Sequence, residues 1–177
     1  MRACFYRRTT LGMIRIEERD ERIVRVDFEQ EFPEDEECEV AETACLWQAF
    51  TQLQEYLEGK RQTFELILHP EGTEFQKAAW QALMEIPYGE TSTYGALADQ
   101  LRAQGISAAA QAVGGAVGHN PISIIVPCHR VVGTDGSLTG YAGGIDKKIK
   151  LLEYEHMDVE QFYVPKKGTI CKNKTIG

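Results

Sequence analysis

Ile125-Val126-Pro127-Cys128-His129-Arg130-Val131-Val132 places a cysteine directly before a histidine and an arginine, behind an apolar run and a proline. A thiol attacks as its thiolate. A neighbouring imidazole and guanidinium favour that charged form and lower the pKa from its free value of about 8.5. Pro127 fixes one backbone angle and lacks a donor, so the strand-like run 123–126 is expected to end there, with Cys128 at the mouth of a pocket. For an isolated Cys-His pair, a core cysteine in a buried β segment is the commoner case. The rest of the chain reverses that order.

The 177 residues suit one domain, or a small one joined to a mid-sized one, and 43% hydrophobic residues suffice for a core. No apolar run is long enough to span a membrane, and Met1-Arg2-Ala3-Cys4-Phe5 does not open a signal peptide. Cys4, Cys38, Cys45, Cys128 and Cys171 are odd in number and lack CxxC spacing. A disulfide scaffold or zinc finger is therefore not expected, and a reducing cytoplasm is. The net charge of −8 argues on its own against a nucleic-acid partner. Its distribution weakens that argument: residues 1–70 carry −7 and residues 71–177 only −1. The acidity concentrates in residues 29–37, read as a solvated loop, which leaves room for a basic face in the second half.

Apolar alternation predicts short strands over 3–7, 11–17 and 22–29. Leu46, Ala49, Phe50, Leu53 and Leu57 recur at helical spacing, which predicts a helix over 42–58 ended by Gly59. Residues 63–68 look like one more strand, and His69-Pro70-Glu71-Gly72 marks a boundary between domains 1–70 and 71–177. Thr73 is a good N-cap for a helix whose apolar face is Phe75, Ala79, Trp80 and Leu83. Ser92 or Thr93 can cap a helix over 94–102, and Ser107 one over 108–117, a pair resembling a helix-turn-helix. The second of these is rich in alanine and glycine. Gly114 and Gly115 each cost about 1 kcal/mol in a helix interior, which either close helix packing or a closely approaching ligand would explain. A last helix spans 146–154 with a cluster of Lys147, Lys148 and Lys150, and the tail from Phe162 adds Lys166, Lys167, Lys172 and Lys174.

Tyr88-Gly89-Glu90-Thr91-Ser92-Thr93-Tyr94, Ala112-Val113-Gly114-Gly115-Ala116, Asn120-Pro121, Pro127-Cys128-His129-Arg130-Val131 and Gly140-Tyr141-Ala142-Gly143-Gly144 occur in the order and spacing of one family. The chain resembles the 6-O-alkylguanine-DNA alkyltransferases, densely over 73–156 and more loosely over 1–70. The resemblance implies a mixed α/β (α+β) fold: a small ribonuclease-H-like N-terminal domain beside a mostly helical C-terminal domain with a helix-turn-helix. It implies irreversible, single-turnover transfer of an alkyl group from oxygen 6 of guanine, with oxygen 4 of thymine as an alternative, onto Cys128. His129 would take the thiol proton through a water and Glu155 would orient the imidazole. Tyr94 would serve the leaving base, and Asn120 would brace the turns around the site. Arg130 is most simply an ion-pair arginine. Val131, Tyr141 and Ala142 would line the base pocket. Gln111, Ala112, Gly115 and Ala116 would face the minor groove of alkylated double-stranded DNA, from which the base must be flipped. Gln111 stands where the family commonly has an arginine. No cofactor is implied; some members of the family bind zinc in the N-terminal domain, but Cys4, Cys38 and His69 stand as singletons and no metal is expected here, and the protein is expected to be a cytoplasmic monomer. The rival readings are an alkylated-base recognition module without transfer, a helix-turn-helix regulator reading the major groove, and a Cys-His hydrolase.

Overall fold

The computed structural model describes residues 2–28 and 38–165; the acidic run 29–37 and the lysine-rich tail beyond 165 lie outside the described residues. Strands β1 (Arg2–Thr9), β2 (Gly12–Arg19) and β3 (Arg22–Phe28) form an antiparallel meander. The two-residue β4 (Glu39–Val40) adds in parallel to β1, giving the order β3-β2-β1-β4. Inward residues such as Phe5, Ile14, Ile16, Ile23 and Val26 are buried under helix α1 (Ala44–Leu57). Thr43 caps α1 through its hydroxyl.

The predicted strand at 63–68 does not form. A single parallel bridge at Leu68 meets Ile23, where Ile23 N–H donates to the Ile67 carbonyl and His69 N–H to the Ile23 carbonyl. The reason lies in α1. The buried Gln52 side chain accepts from Glu65 N–H at 2.8 Å and donates to the Glu65 carbonyl at 3.2 Å. One amide side chain thus takes the backbone groups that a ladder would have used.

Helix α2 (Glu74–Met84) opens on a capping box of Thr73 and Gln76. Strand β5 (Ser92–Thr93), paired in parallel with the later β6 (Val131–Val132), leads into helices α3 (Tyr94–Ala103) and α4 (Ala110–Gly118), which make the helix-turn-helix. Thr93 caps α3 as expected, but Ser107 does not cap α4: its N-cap is Ala109, which has no side-chain bond. Trp80 of α2 fixes α4 by donating to the Ala116 carbonyl at 2.8 Å. Helix α5 (Ile145–Tyr154) closes the fold.

The sheet does not stop at the N-terminal part. Val26 N–H donates to the Pro121 carbonyl at 3.0 Å and Ser123 N–H to the Val26 carbonyl at 2.8 Å. Strand β3 therefore holds the segment that leads to Cys128, and one hydrophobic cluster runs from Phe5 and Ile16 through Leu83 and Leu101 to Leu151. Residues 123–126 form a turn rather than the expected strand, with Ile124 at φ 72°. A β-branched residue in the left-handed region is strained, and it persists where its surroundings hold it. Here Asn120 does so: its side chain accepts from Ile122 N–H at 3.0 Å and donates to the Ile122 and Val126 carbonyls at 3.3 and 3.0 Å.

If Gln52 is what keeps residues 63–68 out of a ladder, Gln52→Leu should fold with a similar volume yet lose about 1 kcal/mol or more, the cost of stranding the Glu65 backbone groups. Denaturant unfolding of the two proteins measures the difference; an equal midpoint would show that water replaces the amide at no cost.

Candidate active site

Cys128, His129 and Arg130 form one 3-10 turn, and all three are buried. The turn brings the His129 and Arg130 side chains to one residue, Glu155. Arg130 Nε donates to Glu155 Oε1 at 2.9 Å, its Nη2 to Glu155 Oε2 at 3.1 Å, and its Nη1 to the Ile86 carbonyl at 2.6 Å. His129 Nε2 lies 2.6 Å from Glu155 Oε2. Gly89, at φ 78°, turns its N–H onto Glu155 Oε1 at 3.0 Å, a backbone conformation that suits glycine. The Tyr56 hydroxyl donates to Glu155 Oε2 at 2.5 Å.

Glu155 is thus a 2% exposed carboxylate surrounded by donors. Burial opposes its charge, but His129, Arg130 and Tyr56 outweigh burial and hold its pKa down at about 2. An ionised carboxylate only accepts, so His129 Nε2 carries the proton. Burial, helped by Arg130 and Lys148, lowers the imidazole pKa below its ordinary value against the pull of Glu155. A neutral ring protonated at Nε2 has its lone pair at Nδ1, and Nδ1 is buried with no hydrogen-bond partner among the described residues. That atom is the open acceptor of the array.

The thiol differs from the expectation set by its neighbours in sequence. Burial pushes the Cys128 pKa up, while hydrogen bonding from Asn120 and the charge of Lys148 work against the rise. The site therefore rests as a thiol. Arg130 cannot stabilise the thiolate as expected, because its guanidinium is committed to Glu155 and Ile86. The ion-pair role is the one it has.

The cation that acts on Cys128 is Lys148, from the lysine cluster of the last helix. It is 1% exposed, and Nζ donates to the Val131 carbonyl at 2.6 Å and the Thr139 carbonyl at 2.9 Å. Burial lowers its pKa to about 8, with the Cys128 charge pulling the other way. Spacing carries the signal. Ile145, Lys148, Leu152 and Glu155 follow one another at three and four residues, on the apolar stripe of α5. Tyr56 likewise follows Ala49 and Leu53 along the buried stripe of α1.

The Thr139 carbonyl also accepts from the Tyr94 hydroxyl at 3.3 Å, and Gly140, at φ 72°, lets the loop lie against that phenol. Burial and the charge of Cys128 keep Tyr94 protonated, against the opposing bond to Thr139. Tyr141 is buried in tilted contact with Phe28 of β3 at 6.2 Å, whereas Ala142 is exposed. Val131 is fully buried and its carbonyl is occupied by Lys148. On α4, Gln111, Ala112 and Gly115 are exposed, while Ala116 lies on the buried side. Nothing approaches a Cβ built on Gly115, and one on Gly114 would meet the Tyr94 ring at an ordinary 3.8 Å, so helix packing does not demand either glycine. Asn120 follows the C-cap His119 and is not itself the cap. Among the described residues no group of three or more His, Cys, Asp or Glu side chains converges on a possible metal position, and no helix is long and apolar enough to cross a membrane.

A mixed α/β protein with a helix-turn-helix and a buried Cys-His-Glu array is a narrow class. Residues 3–70 match the family model of the ribonuclease-like domain of 6-O-methylguanine DNA methyltransferase, and residues 74–157 that of its DNA-binding domain. The chain belongs to the 6-O-methylguanine DNA methyltransferase family. It is 56% identical over 107 residues to the methylated-DNA–protein-cysteine methyltransferase of Mycobacterium tuberculosis strain H37Rv, an alignment covering 60% of this chain and 63% of that protein. The protein of the same name from Methanosarcina acetivorans is 55% identical over 108 residues, covering 61% and 67%. The crystal structure of Mycobacterium tuberculosis O6-methylguanine methyltransferase superposes with a TM-score of 0.78 at 38% identity, over 97% of this chain and 99% of that one. A structure of the Mycobacterium tuberculosis protein in complex with DNA gives 0.77 at 38%, over 90% and 94%.

The buried pair sets a pH dependence. Glu155 has a folded pKa near 2 against an ordinary 4.5, so its contribution to stability is complete above about 4.5 and is lost as pH falls toward 2. Glu155→Gln should cost about 3 kcal/mol or more at pH 7, because Arg130 is left buried without its counter-charge. The gap between wild type and variant should narrow on acidification through that window. Unfolding by denaturant at several pH values checks it, and a gap independent of pH would mean that Glu155 is not ionised in the fold.

Proposed function

We propose that this chain removes an alkyl group from oxygen 6 of guanine in DNA by transferring it to Cys128, once per molecule. The observation that carries the reading is His129: Nε2 is committed to an ionised Glu155, and Nδ1 is left as a buried acceptor in the same turn as the thiol. The Cys128 proton passes to His129 Nδ1, directly or through water. The sulfur–carbon bond forms as the carbon–oxygen bond to guanine breaks. The guanine leaves as an anion and takes up one proton, so the thiol proton balances the reaction. Tyr94, held protonated, supports that departure by donating to a ring nitrogen. As negative charge passes through sulfur, Asn120 and Lys148 are the groups that stabilise it.

The partner is alkylated double-stranded DNA, met in the minor groove by the exposed small residues Ala112 and Gly115 of α4, with Gln111 taking the place of the flipped base. Family membership and the DNA-bound mycobacterial relative support this. The described cysteines are free thiols, and a single-use nucleophile requires a reducing compartment, which favours the cytoplasm; the site is complete within one chain, which favours a monomer. A recognition module without transfer is disfavoured by Cys128 and its proton acceptor standing together.

Incubation with methylated duplex DNA should add one methyl group to the intact protein, located on Cys128 by peptide mapping, and Cys128→Ser should remain unmodified. A methyl group on Cys45, or transfer by the serine variant, would overturn the assignment.

Gln111 has a distinct signature. Gln111→Ala should slow repair of a methylated duplex while leaving reaction with a free alkylated guanine base within about twofold, a barrier change of ~0.4 kcal/mol. Gln111→Arg should keep or improve duplex repair, because arginine adds charge and a planar face. Equal duplex rates for all three proteins would reduce Gln111 to an inert surface residue.

A further inference from the structure

Helix α1 reaches the site through one side chain. Tyr56 is 1% exposed, and its hydroxyl donates to Glu155 Oε2 at 2.5 Å and lies 3.4 Å from His129 Nε2. Its ring is seated between Phe64, at 5.4 Å, and Tyr88, edge-on at 6.1 Å. Packing alone would be served by phenylalanine. A buried phenol brings a polar group that has to be satisfied, and here the partner is the oxygen that also accepts His129 Nε2–H. Burial and the negative charge of Glu155 push the phenol pKa far up, so Tyr56 is a permanent donor.

We propose that Tyr56 is a positioning residue for alkyl transfer: its hydroxyl pins Glu155 Oε2, so that the carboxylate holds His129 in the Nε2–H form with Nδ1 left open as the acceptor. The proposal rests on the reading of Cys128 as the alkyl acceptor. It gives the N-terminal part of the chain a defined share in the chemistry.

The charged and titratable groups facing His129 are Cys128 and Arg130 on its own turn, Lys148 and Glu155 from α5 and its C-cap, and Tyr56 from α1. Arg130, Lys148 and burial all disfavour the imidazolium, and Glu155 favours it. A second donor on Oε2 draws off part of the carboxylate's charge and so tempers that pull. Without the hydroxyl, Glu155 acts more strongly on the ring and the imidazole pKa rises. Below that pKa less of the protein carries a free Nδ1, so the acid limb of the transfer rate moves to higher pH.

The test uses the full chain labelled with nitrogen-15 at histidine. In wild type the His129 signals should report a proton on Nε2 and none on Nδ1. In Tyr56→Phe the His129 pKa should rise by about half a unit or more. Transfer from methylated DNA on the acid limb should slow by the corresponding factor, about threefold. In a Glu155→Gln background, where that protein folds, Tyr56→Phe should have no further effect on rate, because both act through one oxygen. A lower unfolding midpoint with an unchanged His129 pKa and an unchanged rate profile would show a merely structural tyrosine and overturn the proposal. Additive losses in the double variant would overturn it as well. Failure of wild type to take up a methyl group would instead overturn the Cys128 reading, and the histidine titration distinguishes the two failures because it needs no DNA.

Discussion

One carboxylate organises the site. Glu155 receives Tyr56 from α1, Gly89 from the turn after α2, and His129 and Arg130 from the turn that carries the thiol. A buried carboxylate is costly unless its lone pairs are filled, and these are filled from three separate stretches of chain. The same requirement fixes the chemistry. Because Glu155 remains ionised, it selects the imidazole tautomer, and the tautomer leaves Nδ1 as the open acceptor. Arg130 supplies the charge that makes this tolerable. It does so by serving Glu155, and for that reason it does not serve the thiol.

A second constraint holds the nucleophile in place. The residues before Cys128 meet β3 at a single bridge and go no further as a strand, because Asn120 takes the Ile122 backbone groups and the Val126 carbonyl and Ile124 turns against its steric preference. Lys148 does the equivalent on the other side, clamping the Val131 and Thr139 carbonyls. A buried ammonium is expensive to desolvate, and its lowered pKa reflects that cost. It is tolerated where negative charge is to develop. Two ordinary backbone braces thus double as the groups that face the sulfur.

The local signals in the sequence were well supplied. Thr73 before α2, Ser92 or Thr93 before α3 and Gly59 after α1 are read from residue type and spacing, and the structure places the element ends there, with Thr93 as the α3 cap. The failures share a cause. At 63–68 and 123–126 the apolar pattern suggested strands, but the Gln52 amide took the Glu65 backbone groups and the Asn120 amide fixed a turn through Ile122 and Val126. No local pattern reports a competitor that lies elements away. The thiol pKa failed for a related reason. Proximity in sequence put Arg130 next to Cys128, while the 3-10 turn sent its side chain to Glu155. Lys148 and Tyr56 were legible as polar residues on apolar stripes, a signal that marks burial without naming the partner.

The N-terminal part is more than a platform. Strand β3 pairs with the segment leading to Cys128, Phe28 packs on Tyr141 of the pocket loop, and Tyr56 enters the Glu155 array. These contacts act on different parts of the site, one on the backbone before the nucleophile, one on the loop and one on the base. A shift of α1 against the C-terminal helices would alter the Glu155 geometry before it broke any covalent or helical element. Hydrogen bonds to a charged acceptor depend steeply on distance and angle, so the array is sensitive to how the two halves are seated. The proton acceptor is therefore a property of the assembled chain, in which a residue of the first half sets the charge felt by a histidine in the second.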